Sequence, residues 1–250
     1  MVSLACLAVA AVGFGVVNRA GDAPEPAAAA TTTTLPAPTT SAPTTSTTAP
    51  ATVYTVANVV GPAIDVYAAP DGTQVTHRMA NPSPPYDTRL LFLVTQDRGD
   101  WLEVMLPVRP NGSRGWIRTA DVDLARHTYK IEVSLGANLL TVYKGNEVFH
   151  QEKVGLGKAA TPTPGGVFYT KELLIPTGQP WYGPFAFGLS GFSDVLYSFA
   201  GGQGQLGIHG TDAPRGLGTD ISNGCIRMSN AGITRLAESL PLGVPVEIVP

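Results

Sequence analysis

The sequence is poor in cysteine: its 250 residues include only Cys6, inside an apolar N-terminal stretch, and Cys225. Outside that N-terminal stretch the Cys225 thiol therefore has no disulfide partner, and it is either a buried structural residue or a reactive group. Gly224 directly before it, Arg227 after it and His209 upstream favour the reactive group. We predict that Cys225 is a catalytic nucleophile.

Basic residues are also few and scattered, with 16 Lys and Arg against 19 Asp and Glu, a net charge of −3 and no basic cluster. This balance argues against nucleic acid as a partner. The other histidines, His77, His127 and His150, lie far from Cys225 along the sequence. The three protein ligands of a zinc peptidase are therefore lacking near the thiol. We predict an enzyme without metal or cofactor.

No hydrophobic run reaches the length of a comfortable membrane span, which needs about 20 residues. The apolar run that ends at Val17 suits the core of a signal sequence, although a basic segment before it is missing. Residues 1–20 are predicted to be a signal sequence or, alternatively, a membrane anchor. Residues 21–52, rich in Ala, Pro and Thr, are predicted to be a disordered linker. We expect an exported protein of the cell wall or periplasmic space.

Frequent turn signals, with 28 Gly and 22 Pro, favour an all-β architecture over a helical one. Residues 53–122 alternate short apolar runs with Gly- and Asp-containing turns, and carry Trp101 and Gly115-Trp116-Ile117. This segment loosely resembles a bacterial SH3-like barrel. The resemblance leaves two roles open, binding of the cell wall or simple spacing of the neighbouring domain.

Residues 126–250 carry a second series of strand signals, including predicted strands at 139–143 and 147–154 separated by the hairpin loop 144–146. Near the end, Ser229 or Asn230 can cap a short helix whose apolar residues share one face. A final strand follows at 244–249. The pattern predicts a β-sandwich with one short helix.

His209 and Cys225 have the chemistry of a base and a nucleophile for acyl transfer. An imidazole activates a thiol by taking its proton or by pairing, as imidazolium, with the thiolate. Backbone N–H groups in the turn before Cys225 are candidate donors to an oxyanion. The group that orients His209 stays open between Asp212, Asp220 and a backbone carbonyl near Gly210.

Two motifs give the second segment a specific resemblance. Residues 161–168 read Thr-Pro-Thr-Pro-Gly-Gly-Val-Phe, and His209-Gly210-Thr211 is followed by Ser222-Asn223-Gly224-Cys225-Ile226-Arg227. On these motifs, residues 126–250 resemble an L,D-transpeptidase catalytic domain of the YkuD type. Asn223 stands where the commonest family form has histidine, so a second imidazole is absent.

The resemblance implies crosslinking of peptidoglycan through a thioester on Cys225. By this resemblance, His209 activates the thiol, the Gly210 carbonyl fixes the imidazole ring, and the Gly224 and Cys225 amides form the oxyanion pocket. It also implies peptidoglycan stem peptides as partners and acylation of Cys225 by carbapenem-type β-lactams. Two alternatives remain open: hydrolysis of the same bond by a cysteine L,D-carboxypeptidase, and a non-catalytic wall-binding protein.

Further candidate substrate-binding residues flank the nucleophile or lie in a predicted lid. Ser222 can donate a hydroxyl hydrogen bond, and Arg227 can steady the loop or meet a substrate carboxylate. The family resemblance places a lid between Lys171 and Gln205, in which Trp181 and Tyr182 either line the donor channel or pack beneath a loop.

Overall fold

A computed structural model of the chain describes residues 14–16, 50–198 and 202–250. Most of the predicted signal or anchor segment and of the predicted linker therefore lies outside the described residues. Within 1–20, only β1 (Phe14–Val16) is described, and it pairs antiparallel with residues 174–176. Within the described residues, no helix has the length and apolar character needed to cross a membrane.

The first β-domain is a seven-stranded sheet whose strands follow the order β4-β3-β7-β6-β5-β2-β8. Alternate side chains of β3 turn inward, with Ile64 and Val66 buried between partly exposed neighbours, as a half-buried strand requires. The last strand pairs with β2 as far as His127, beyond the predicted boundary at 122. The resemblance to SH3-like barrels stays a prediction. The elements are β2 (Tyr54–Val59), β3 (Ala63–Tyr67), β4 (Val75–Ala80), β5 (Leu91–Asp97), β6 (Trp101–Met105), β7 (Arg114–Arg118), the 3-10 turn Thr119–Asp121 and β8 (Val122–His127).

The second β-domain is built on a larger sheet in the order β11-β10-β9-β18-β13-β14-β15-β17, with β1 added on β13. A separate parallel pair, β12 with β16, lies beside it. The strands are β9 (Tyr129–Ser134), β10 (Leu139–Lys144), β11 (Glu147–Lys153), β12 (Leu156–Gly157), β13 (Gly166–Pro176), β14 (Ala186–Phe192), β15 (Gln205–His209), β16 (Asp220–Ser222), β17 (Ile226–Arg227) and β18 (Pro245–Val249).

The single α-helix of the described residues is α1 (Asn230–Ser239). The Ser229 side chain accepts a hydrogen bond from the Gly232 backbone N–H at 2.9 Å, which satisfies one of the free donors of the first turn. Ile233 and Leu236 are fully buried on one face and join the core of the second β-domain. The predicted fold class, a mostly β protein with one short helix, is confirmed.

The two β-domains share an apolar contact centred on Tyr169 of β13. Its ring is completely buried against Val56, Leu91 and Leu93 of the first β-domain. Its hydroxyl donates to the Leu91 carbonyl oxygen at 3.1 Å. This contact places the loop that precedes β5 beside β13, the strand that runs past the candidate site.

Candidate active site

Two paired strands bring His209 and Cys225 together. His209 ends β15, and Cys225 directly precedes β17; the two strands run parallel with Ile208 opposite Ile226. This register sets Cys225 beside Gly207, and both predicted catalytic side chains line one cavity of about 80 Å³. Cys225 is partly exposed, whereas His209 is only 4% exposed.

The His209 ring is oriented by the backbone. Its Nδ1 lies 2.6 Å from the Gly210 carbonyl oxygen. Because a carbonyl can only accept, Nδ1 carries the proton, and Nε2 of the neutral ring is left as the base. Asp220 instead accepts from the Asn138 amide at 2.8 Å, and Asp212 is exposed. Of the three groups left open by the sequence, the carbonyl is the one in contact with the ring.

The electrostatics favour a neutral pair at rest. Burial lowers the pKa of His209 to about 4, against the opposing effect of the Gly210 carbonyl and with a further decrease from the Arg227 charge. Burial raises the pKa of the Cys225 thiol, an effect only partly offset by the Gly207 backbone N–H and by Arg227. Of the two activation routes, proton transfer to a neutral imidazole during attack is therefore favoured over a standing thiolate–imidazolium pair.

This arrangement predicts how the alkylation rate of Cys225 depends on pH. Only the thiolate reacts with iodoacetamide, so a thiol pKa above its usual value makes the rate climb about tenfold per pH unit through neutral pH. The rate constant is measured by intact mass across the pH range, with Cys225→Ala as the control for other sites. A plateau through neutral pH would indicate an ion pair and contradict the assignment.

The turn before Cys225 is held by the Ser222 hydroxyl. Ser222 Oγ donates to the Cys225 carbonyl oxygen at 2.6 Å and accepts from the Gly224 backbone N–H at 3.0 Å. The Gly224 N–H, predicted as an oxyanion donor, is thus occupied within the turn, and that expectation needs correction. Within the described residues, no hydrogen bond is found for the Cys225 N–H, which stays the candidate donor.

Two threonines of the motif at residues 161–168 form hydrogen bonds that support the same turn. The buried Thr163 hydroxyl donates to the Gly224 carbonyl oxygen at 2.9 Å and accepts from the Gly157 N–H at 2.8 Å. Thr161 Oγ1 lies 3.3 Å from the Ser222 carbonyl oxygen and 3.5 Å from Asn223 Oδ1. Asn223 therefore contacts this support rather than lining the cavity. The motif signalled residues 161–168 from sequence, but only the fold reveals their structural role.

Thr163→Val should both destabilise the protein and slow acylation. The methyl group keeps the volume but leaves a buried N–H and a buried carbonyl without partners, which costs about 2 kcal/mol in free energy of unfolding. Denaturant unfolding and the rate of Cys225 acylation measure the two effects. Thr95→Val, on an exposed strand position, is the matched control and should change neither. An unchanged acylation rate in Thr163→Val would contradict the supporting role.

The predicted lid differs from the structure in extent. Residues 166–176 and 186–192 are strands β13 and β14, and all of β14 is buried because it lies inside the larger sheet. The turn between them reaches the site, where residues of both strands also line the cavity. There Tyr182 lines the cavity with its ring edge against His209, at 4.7 Å between centroids. Trp181 is 49% exposed and does not line this cavity, so it is not placed in a donor channel here.

Arg227 is tied to the site mainly through its backbone and its charge. Its N–H and carbonyl exchange hydrogen bonds with Gly155 at 2.8 and 2.7 Å. Its positive charge lowers the pKa values of His209, Cys225 and Tyr182. Its buried Nε has no hydrogen-bond partner within the described residues. Both predicted roles, steadying the loop and meeting a carboxylate, are compatible with this position.

Three further cavity residues with polar side chains were missed from the sequence: Tyr86, Glu172 and Gln205. Glu172 is completely buried and accepts from Gln205 Nε2 at 2.7 Å, while Lys171 Nζ lies 3.3 Å away. A Lys-Glu pair inside an apolar strand was the available signal for Glu172. Tyr86 carried none, because it comes from the first β-domain. In the described part of the chain, no group of three or more acidic, cysteine or histidine side chains is suited to a metal ion.

Comparison with known proteins places this site in a family. The model of the YkuD L,D-transpeptidase catalytic domain matches residues 128–248. The YqjB protein of Bacillus subtilis is 31% identical over 123 residues, which cover 46% of this chain and 68% of that protein. The chain belongs to the YkuD L,D-transpeptidase family.

The YkuD protein of Bacillus subtilis is 36% identical to this family member over 120 residues, or 48% of the chain and 65% of the relative. The YkuD protein of Bacillus licheniformis is 33% identical over 122 residues, covering 49% of this chain and 66% of that protein. The chain thus spans slightly less than two thirds of these two relatives. The names of all three assign them provisionally to the L,D-transpeptidases.

Solved L,D-transpeptidase structures align at low TM-scores. A mutant from Enterococcus faecium is 24% identical, with a TM-score of 0.39 over 48% of this chain and 49% of that one. An L,D-transpeptidase from Mycobacterium smegmatis is 15% identical, with a TM-score of 0.39 over 62% and 80% of the two chains. L,D-transpeptidase 3 from Mycobacterium tuberculosis, solved in complex with a faropenem-derived adduct, is 14% identical, with a TM-score of 0.41 over 57% and 76%.

Proposed function

We propose that this family member is a peptidoglycan L,D-transpeptidase acting through a thioester on Cys225. The acyl donor is the third-position diamino acid of a tetrapeptide stem, and the acceptor is the side-chain amine of the same residue on a neighbouring stem. The observation that carries the proposal is the shared cavity of Cys225 and His209, with His209 Nδ1 bound to the Gly210 carbonyl so that Nε2 is the base.

The first half-reaction forms the thioester. His209 Nε2 takes the thiol proton as Cys225 Sγ attacks the donor carbonyl, and the carbonyl π electrons move to oxygen. The Cys225 N–H stabilises the oxyanion. When the intermediate collapses, the C–N bond to the terminal D-alanine breaks, and the imidazolium gives its proton to the departing amine. The ring returns to the neutral form that burial favours.

The second half-reaction transfers the acyl group. His209 Nε2 accepts a proton from the acceptor amine as its nitrogen attacks the thioester carbonyl. Breakdown of this intermediate forms the new amide and breaks the C–S bond, and the imidazolium returns a proton to sulfur. Ser222 keeps the nucleophile turn in shape, and Arg227 supplies a positive charge near the reacting groups. Water in place of the amine would give hydrolysis.

The proposal extends to where the enzyme works and what surrounds it. Peptidoglycan as substrate fits export to the cell wall or periplasmic space, with residues 1–20 as signal sequence or anchor and 21–52 as a spacer. The first β-domain is proposed as an SH3-like domain that positions the catalytic domain, which is the second β-domain. The test is mass spectrometry of purified tetrapeptide muropeptides after incubation: crosslinked dimers support transfer, and trimmed tripeptide monomers instead indicate a carboxypeptidase. Muropeptide binding without any product would indicate a wall-binding protein.

Carbapenem-type β-lactams are expected to acylate Cys225, because a strained amide presents the same electrophilic carbonyl to the thiol. Incubation with an excess of imipenem should raise the intact mass by one drug-derived adduct per chain. Peptide mapping should place the adduct on Cys225, and Cys225→Ala should stay unmodified. An unmodified wild-type protein would argue against the proposed acylation chemistry.

A further inference from the structure

The cavity around Cys225 is completed by the first β-domain. Tyr86, in the loop between β4 and β5, lines the cavity together with Tyr182, His209 and Cys225 of the second β-domain. Tyr86 is partly buried. It is the only residue of the first β-domain among the described lining residues, so one side chain joins that domain to the reaction site.

The Tyr86 loop is fastened to the cavity wall. Thr88 is buried, and its hydroxyl donates to Glu172 Oε2 at 3.2 Å. The other carboxylate oxygen accepts from Gln205, which begins the strand that ends in His209. Ser83 and Thr88 close the loop through a backbone hydrogen bond of 2.7 Å. The position of Tyr86 is therefore fixed relative to the strands that carry the base and the nucleophile.

Charges around Tyr86 agree with this placement. Burial raises the pKa of the Tyr86 hydroxyl, and the negative charges of Glu172 and the Cys225 thiolate add to the increase. Tyr86 in turn contributes to the raised pKa of Tyr182, after burial and Cys225. The two tyrosines and the thiol thus face a common space, with both phenols neutral at physiological pH.

The cavity that contains Cys225 is small. Small-molecule sites commonly measure about 300–1,000 Å³, whereas this cavity measures about 80 Å³. Much of its wall is made of strand residues of β13, β14 and β15, which are held by the larger sheet. Tyr86 and Tyr182 lie on a loop and a turn and are partly exposed. Apart from Cys225 itself, they are the described lining residues that lie outside these strands.

We propose that Tyr86 is a specificity-determining residue of the Cys225 cavity, through which the first β-domain limits the size of the groups admitted to the thiol. The identity of the admitted group as part of a peptide acyl donor rests on the proposed function. The size limit itself does not, because it follows from the Tyr86 side chain lining the same small cavity as Cys225.

The test compares two thiol reagents of different size, iodoacetamide and a maleimide joined to a bulky fluorophore, at one pH. Both react with the same thiolate, so the ratio of their rate constants cancels any change in the thiol pKa. In Tyr86→Ala the bulky-to-small ratio should rise about tenfold or more, the low end of what a size mismatch costs in a tight pocket. Tyr86→Phe, which keeps the ring, should retain the wild-type ratio, and Tyr86→Trp should lower it.

Tyr143→Ala, at a partly exposed tyrosine on β10 that does not line the cavity, is the matched control and should leave the ratio unchanged. An unchanged ratio in Tyr86→Ala, with circular dichroism like that of the wild type, would overturn the proposal. If Tyr86→Ala fails to fold, an unchanged ratio in Tyr86→Trp would do the same.

The muropeptide assay separates this proposal from the proposed function. Tyr86→Ala should raise the KM of the tetrapeptide donor about tenfold and change kcat less, since the ring contacts the donor rather than the transferred proton. Wild-type protein that turns over no muropeptide, while the reagent ratio still rises in Tyr86→Ala, would refute the transpeptidase assignment and support the size limit.

Discussion

Cys225→Ala is expected to lower muropeptide crosslinking by at least about 10⁴-fold, because removal of a covalent nucleophile leaves only binding and oxyanion stabilisation. The fold should persist. The nucleophile turn is held by the Ser222 hydroxyl and by Thr163, neither of which bonds to the sulfur. Initial rates on purified tetrapeptide muropeptides measure the first effect, and thermal unfolding measures the second.

Cys225→Ser is the informative companion variant. It keeps the shape of the side chain but replaces the thiol by a far weaker acid, so it should bind the donor and turn over almost none of it. Substantial crosslinking by either variant would eliminate the thioester mechanism. Loss of the thermal transition in both would instead assign Cys225 a structural role.

His209→Ala is expected to slow acylation of Cys225 by about 10²- to 10⁴-fold, the usual contribution of a general base. Because the pKa of the buried imidazole is about 4, the ring is neutral at mildly acidic pH. The wild-type enzyme should therefore keep its base until the pH approaches 4. Without the base, acylation depends on thiolate formed in solution, and the variant rate should rise with pH. Time-resolved intact mass with imipenem measures both profiles.

His77→Ala is the matched control, since His77 lies on β4 of the first β-domain and does not line the cavity. It should acylate at the wild-type rate. A normal acylation rate in His209→Ala would remove this residue as the base. A wild-type acid limit near pH 6.5, the usual pKa of histidine, would contradict the effect of burial.

Protonation of His209 should also destabilise the protein in acid. The folded-state pKa, about 4, lies below the usual value of 6.5, so the unfolded chain binds more protons between these two values. The free energy of unfolding therefore falls as pH decreases from 6.5 towards 4. Between pH 6.5 and 4, the decrease in the free energy of unfolding, measured by denaturant unfolding, should be smaller in His209→Ala than in the wild type.

The sequence was most informative for features that depend on residues close together in the chain. Cys225 and His209 are marked by their immediate neighbours, and a parallel strand pair joins those two segments directly. Ser229 was recognisable as a helix cap because its hydroxyl and the backbone N–H that donates to it lie within one turn. These features need only short-range rules of hydrogen bonding and strand pairing.

The sequence was least informative for features that depend on packing between segments far apart in the chain. The Gly224 N–H was expected to face a substrate, but the Ser222 hydroxyl reaches it first. Residues 186–192 carry aromatic and glycine residues typical of a loop, yet they form a strand buried on both faces. Tyr86 reaches the site from the first β-domain, in a loop whose Thr88 is bonded to Glu172 of the second.

The burial of Tyr169 has a consequence for how far the catalytic half can be shortened. A fragment beginning at residue 128 would contain every residue of the family match. It would nevertheless lack the residues of the first β-domain that bury the Tyr169 ring, including Leu91, whose carbonyl oxygen accepts from the Tyr169 hydroxyl. The apolar side chains that pack in this contact would then be exposed to water. The second β-domain therefore has an apolar surface that only the preceding residues cover, and it is not a self-contained folding unit in this protein.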